Sequence, residues 1–158
     1  ISPQAAETVW ASGTRERACD SLSQQPARSR VPLALNVRDD TWRDSLVSGL
    51  RYAQKTAVSH RRLVCATVSN TQLRLQIAAA NPATSCGVDL QGPSGAGVYA
   101  TSSSSATATA VAPAGVIHFQ PDGRVTSDGA GTAVYSPVLT VSNVGATISI
   151  RGETGYVE

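Results

Sequence analysis

The chain has 158 residues, which is enough for one domain with a modest extension. Hydrophobic residues make up 41% and charged residues only 15%, with one Phe, four Tyr and two Trp, so we expect an aliphatic core under a hydroxyl-rich surface. The net charge of +2 is too small to indicate a nucleic-acid partner by itself. The composition therefore favours a secreted, β-rich domain. It does not indicate a strongly basic nucleic-acid-binding protein.

The first 38 residues are the least regular part of the chain. Residues 5–10 and 14–22 favour short helices separated at Gly13, and residues 23–30 favour a linker. The longest apolar run nearby, residues 31–35, is far shorter than the ~20 residues that a membrane span needs. We therefore predict an N-terminal extension or linker of unclear origin over residues 1–38 and a head domain over residues 39–158.

Apolar and small side chains recur at helical spacing over residues 40–60 and predict an amphipathic helix. Asp39 or Asp40 could cap its start, and Thr41 with Asp44 has the spacing of a capping box. Small residues in the apolar stripe, Gly49 among them, would let a sheet approach the helix closely. The expected packing face consists of Trp42, Leu46, Leu50, Ala53 and Ala57.

After Arg62 the hydrophobic period changes from helical to alternating, which predicts antiparallel strands. Residues 63–68 and 73–78 form a predicted hairpin around a turn at residues 69–71. Residues 121–123, Pro-Asp-Gly, predict a second hairpin between residues 116–120 and 124–126. Further short strands are expected at residues 88–90, 98–101, 138–142, 147–151 and 155–157.

Two segments between these strands favour loops. Residues 91–97 are rich in glycine, and residues 102–112 are a low-complexity run of Ser, Thr and Ala that could also form an exposed edge strand. One helix followed by many short antiparallel strands predicts an α+β fold, with the helix packed on antiparallel sheet.

The chain has three cysteines, which allow one disulfide and one free thiol. Cys65 lies in an apolar run and Cys86 in a turn-like segment, with a predicted strand between them. A Cys65–Cys86 bridge would therefore join a strand to the segment that returns beside it. Two buried reduced thiols are the alternative, and Cys19 has no evident partner.

The sequence offers little support for catalysis. The two histidines are His60, at the predicted helix end, and His118, which is expected on the surface because it alternates with Ile117 and Phe119. They have no metal-ligand spacing, and no nucleophile-elbow motif is present. The glycine-rich run lacks the lysine and the following helix that phosphate binding requires. We therefore expect no catalytic residue, no metal and no cofactor.

Five segments, taken in order, resemble pseudopilins of the GspH/FimT type, and MshC-like members in particular. These are the helix segment 36–58, Arg-Arg-Leu-Val-Cys at 61–65, Ser-Cys-Gly at 85–87, Phe-Gln-Pro-Asp-Gly-Arg at 119–124 and the ending at 148–157. The resemblance covers roughly residues 36–158, and residues 1–35 do not share it.

The resemblance implies a structural subunit of a type IV pilus or a type II secretion pseudopilus. Such proteins are processed and methylated by a prepilin peptidase and anchored in the bacterial inner membrane by an apolar N-terminal helix, which residues 1–158 do not contain. The head then faces the periplasm and enters the fibre at or near its tip, where it primes assembly with other pilins. At a pilus tip it would be exposed outside the cell.

The resemblance also raises DNA uptake as an alternative function. Arg61, Arg62, Arg124 and Arg151 are the candidate phosphate contacts, provided that they share one face. DNA-binding relatives carry a Gly-Arg-x-Arg motif near the C-terminus, whereas here that position reads Ile-Arg-Gly-Glu-Thr-Gly at 150–155. A single arginine beside an acid argues against DNA binding.

Overall fold

A computed structural model of the protein describes residues 31–93, 95–102, 108–111, 115–145 and 147–158. These residues form one helix, α1 (Val31–His60), and eleven strands. The strands are β1 (Val64–Val68), β2 (Gln72–Ile77), β3 (Val88–Asp89), β4 (Gln91–Gly92), β5 (Gly95–Ala96), β6 (Val98–Thr101), β7 (Ala108–Val111), β8 (Val116–Phe119), β9 (Val125–Thr126), β10 (Val138–Val141) and β11 (Thr147–Ser149). The predicted α+β class is confirmed.

The helix is longer than the sequence predicted. It ends at His60, as expected, but it begins at Val31, so the predicted start at Asp40 was wrong. Asp39, Asp40 and Thr41 cannot cap the start of the helix, because they lie in its interior. Pro32 is in the first turn, where a missing backbone N–H costs no helical hydrogen bond. The helix continues through residue 38, and the division into an extension over residues 1–38 and a head over residues 39–158 stays a prediction. The helices predicted within residues 1–30 lie outside the described residues.

The main sheet has the strand order β3-β2-β1-β8-β9, and β6 also pairs with β2. Both predicted hairpins are confirmed: β1 pairs with β2 through residues 69–71, and β8 pairs with β9 through residues 120–124. In the second hairpin Gly123 has φ 92°, so the turn uses the glycine where a left-handed residue is required. Every pair in this sheet is antiparallel.

A second sheet has the order β11-β10-β7. Its edge strand β7 lies within the Ser/Thr/Ala-rich run, so the loop predicted for residues 102–112 was wrong over residues 108–111. Composition alone did not reveal this strand, because its extended conformation depends on pairing with the distant strand β10. Residues 103–107 and 112 lie outside the described residues.

Two smaller predictions also need correction. The glycine-rich segment, predicted as a loop, contains the short hairpin β4–β5. Gly92 permits it to lie close to β6, because a Cβ there would be 2.9 Å from the Tyr99 Cα. Residues 155–157 do not form a full strand: one bridge joins Val157 to Ile150, with two backbone hydrogen bonds between Ser149 and Glu158.

One core lies between the helix and the two sheets. In β2, Leu73, Leu75 and Ile77 are buried in this core while Arg74 faces solvent, as the alternation predicted. The second sheet contributes Leu139 and Ile148, among other residues. The chain therefore closes its sheets over one stripe of α1 and leaves the rest of the helix surface for other contacts.

Candidate functional site

Over residues 39–60, the buried large or aliphatic side chains of α1 are the five named from the sequence. Their exposed fractions are at most 2%, and all five belong to the main core: Trp42, Leu46, Leu50, Ala53 and Ala57. Gly49 sets the spacing beside them, because a Cβ at this position would lie 2.4 Å from Leu73 Cδ2 and 2.7 Å from Tyr99 Cδ1. Small side chains thus let the sheet approach the helix, as the sequence suggested.

A Schellman motif ends the helix at Arg61 and Arg62. The Arg62 N–H donates to the Ala57 carbonyl at 3.1 Å and the Arg61 N–H to the Val58 carbonyl at 3.3 Å, with Arg61 in the left-handed region at φ 51°. Both arginine side chains are exposed. Among the described residues neither takes part in an ion pair, and their charges lie where the helix dipole favours cations.

The other two candidate arginines are paired with carboxylates. Arg124 Nε lies 2.7 Å from Asp122 Oδ2, within the β8–β9 turn. Arg151 Nη2 lies 3.4 Å from Glu158 Oε1. Burial raises the pKa of Asp122, but hydrogen bonds from the Arg124 backbone and side chain outweigh it and lower that pKa. Two of the four predicted phosphate contacts thus lie beside a carboxylate in solvent-exposed ion pairs.

The C-terminal segment is fastened to α1 by two side chains that the sequence analysis did not single out. The Arg51 guanidinium donates to the Val157 carbonyl through Nε and Nη2, at 3.2 and 2.9 Å. Gln54 Nε2 donates to the Thr154 carbonyl at 3.0 Å. No local pattern marked these contacts, because the partners are about a hundred residues apart. The helix therefore contacts two parts of the fold, the main sheet and the C-terminal segment.

A disulfide joins Cys65 to Cys86 across the outer face of the main sheet. It forms a second small core with Leu63 and Ala78, which explains why β1 is buried on both faces. Cys19 lies outside the described residues.

The disulfide-bonded loop also contacts the segment after β9. A Cβ at Gly129 would lie 1.8 Å from the Thr84 carbonyl oxygen, so only glycine allows the two loops to approach this closely. Gln120 is buried and donates to Thr126 Oγ1 at 2.8 Å, beside the same segment. These contacts fix the loops at the end of the sheet nearest the helix C-terminus.

His118 is less exposed than predicted. It lies on the sheet face opposite Ile117 and Phe119, as the alternation required, but its ring is half-buried and Nδ1 is buried without a hydrogen-bond partner. Cys65 is its register partner, so the disulfide and the neighbouring loop share that face. Burial lowers the pKa of His118, against the opposing effect of Asp128. The prediction of a surface histidine was therefore wrong in part.

The described residues contain neither a metal-binding cluster nor a membrane-spanning helix. Within residues 31–93, 95–102, 108–111, 115–145 and 147–158, no three His, Cys, Asp or Glu side chains are grouped so as to hold a metal ion. The same part of the chain contains no helix long and apolar enough to cross a membrane. The best-defined feature is the helix–sheet packing and the helix surface that it leaves open.

The architecture is that of a pilin head: a helix packed along one side of antiparallel sheets. One solved structure with this fold is the type IV minor pilin FimU of Pseudomonas aeruginosa, with a TM-score of 0.55, 16% sequence identity, and coverage of 80% of this chain and 88% of FimU. No known family profile matches the chain, and no curated protein sequence matches it. At this identity the likeness establishes the fold.

Proposed function

We propose that the protein is a minor pilin or pseudopilin, a structural subunit of a pilus-like fibre. The observation that carries the proposal is the stripe of α1 from Trp42 to Ala57, which is buried against antiparallel sheet in the fold of a type IV minor pilin. Because α1 begins at Val31, it extends beyond this stripe toward the N-terminus, which is the direction in which a pilin carries its apolar anchor.

The finer assignment rests on the resemblance to GspH/FimT-type pseudopilins. On that basis the subunit acts at or near the tip of a type IV pilus or a type II secretion pseudopilus, where it primes assembly. The head lies in the periplasm, and a longer N-terminal helix anchors it in the inner membrane before assembly. Its partners are the other pilins of the same fibre.

The arginines do not favour DNA uptake as a second function. Phosphate binding needs several unpaired cations on one face, and Arg124 and Arg151 are already paired with Asp122 and Glu158. Binding through phosphate contacts would give a dissociation constant for short duplex DNA that rises steeply between low and moderate salt. We expect the purified head to show no such binding. A steep salt dependence, reduced by Arg61→Ala with Arg62→Ala, would restore the DNA-binding alternative.

A clean gene deletion tests the structural role. We expect loss of fibres or of secretion, restored by the complete coding region and accompanied by capture of neighbouring pilins in a pull-down. Leu50→Asp, which places a charge in the helix–sheet core, should fail to restore fibres, whereas Arg62→Asp, at an exposed position just after the same helix, should restore them. Normal fibres in the deletion strain would contradict the proposal.

A further inference from the structure

A groove runs along the open side of α1, between the helix and β6. It consists of two adjoining clefts of about 470 and 460 Å³, which share Asp44, Ser48 and Tyr99. The helix positions that line it extend from Thr41 to Lys55, a distance of about 21 Å at ~1.5 Å per residue. An extended peptide of about six residues spans that length.

Two stacked tyrosines line the groove: Tyr99 is shared by both clefts, and Tyr52 belongs to the cleft that contains Lys55. The ring centroids of Tyr52 and Tyr99 are 5.5 Å apart, with an angle of 28° between the ring planes. Ser48 Oγ lies 3.2 Å from the Tyr99 hydroxyl, and Gly49 makes room for the Tyr99 ring against the helix. Tyr52 nevertheless remains 37% exposed. Such a preorganised aromatic surface loses little conformational entropy on binding and is typical of interface hot spots.

The charges of the groove have both signs. Arg51 and Lys55 line the cleft near the helix C-terminus, and Asp44 lies toward its other end. Arg51 is engaged by the Val157 carbonyl, whereas Lys55 is exposed and belongs to no ion pair among the described residues. A polyanion such as DNA would meet Asp44, so the mixed charges favour a peptide that carries its own carboxylate.

We propose that this groove binds an extended segment of another pilin-type subunit, with a carboxylate beside Lys55 and an apolar side chain on the Tyr52–Tyr99 pair. The inference rests on the proposed function, because a fibre subunit must present lateral contacts to its neighbours. The buried stripe of α1 holds the subunit's own sheet, and the groove offers the adjacent side of the same helix to a second subunit.

Site-specific photo-crosslinking in piliated cells tests the groove directly. The photoreactive residue p-benzoylphenylalanine replaces Tyr52 in the full chain, and the matched control carries it at Val88, another exposed apolar position. We expect the Tyr52 position to crosslink to another pilin subunit, with a yield that falls about tenfold when Lys55→Glu is added. A crosslink to residues 1–30 of the same chain, to a protein that is not a pilin, or to nothing would overturn the inference, as would an equal pilin yield from Val88.

Fibre counts separate this inference from the proposed function. We expect the double variant Tyr52→Ser, Lys55→Glu to reduce fibre number at least fivefold, whereas Val88→Ser with Arg62→Glu should not, provided that both purified heads keep the wild-type circular dichroism spectrum. If the deletion strain lacks fibres but the groove variant restores them fully, the groove inference fails and the subunit role stands. If the deletion strain keeps its fibres, the subunit role itself fails.

Discussion

Gly49→Ala tests whether a single missing side chain sets the distance between α1 and the sheet. Alanine is the better helix former by about 1 kcal/mol, so an isolated helix would gain from the change. In this protein the new methyl group would lie 2.4 Å from Leu73 Cδ2 and 2.7 Å from Tyr99 Cδ1. Leu73 is fully buried and cannot move toward solvent, so its side chain must shift within a packed core.

Overpacking of this kind costs roughly 1–3 kcal/mol. Because the overlap involves two neighbours, we place the cost toward the upper end, at about 2–3 kcal/mol. After subtraction of the gain in helix propensity, we expect the free energy of unfolding to fall by about 1–2 kcal/mol and the melting temperature by roughly 3–8 °C. Urea unfolding followed by circular dichroism measures the change.

Gly145→Ala is the matched control, because a Cβ there meets no atom within 4 Å. We expect this variant to be neutral or slightly stabilised, since alanine restricts the unfolded chain. Adding Leu73→Ala to Gly49→Ala should relieve the overlap and give a double variant more stable than the sum of the two single changes predicts. A Gly49→Ala head that is more stable than the wild type would refute the close packing inferred here.

Three further outcomes are expected. Replacing Cys65 and Cys86 with Ser should lower the free energy of unfolding by about 3 kcal/mol, as a bridge over 21 residues predicts, and non-reducing peptide mapping should recover the two cysteines joined in the wild type. Arg61→Gly should raise the urea midpoint by an amount equivalent to roughly 1 kcal/mol, since φ is 51° there and glycine adopts this region without strain; an unchanged or lower midpoint would contradict the helix-end geometry. The hydrogen bond from Gln76 and the Arg74 guanidinium lower the pKa of Asp89, so its contribution to stability is present above the ordinary carboxyl pKa and is lost as the pH falls through the lowered value. Asp89→Asn should therefore flatten the acid limb of a pH–stability profile, and an unchanged limb would count against the contact.

The local pattern of the sequence was sufficient for several elements. Period-3.6 spacing marked the stripe from Trp42 to Ala57, and Pro-Asp-Gly at residues 121–123 marked a hairpin whose glycine has φ 92°. These features depend on neighbouring residues, so the sequence carries them directly. The positions of Cys65 and Cys86 on either side of one strand favoured the bridge that the structure contains, with two free thiols as the alternative.

Only the tertiary structure decided the rest, because the interactions join residues distant in sequence. Pairing with β10 orders β7 within a run whose composition favoured a loop. Arg51 binds the Val157 carbonyl, and Tyr99 reaches Tyr52 across the helix–sheet boundary to build the groove. The sequence thus determined which hydrophobic side chains α1 buries over residues 39–60. The fold determined what the remaining surface of α1 can bind, because the groove exists only once β6 lies beside the helix.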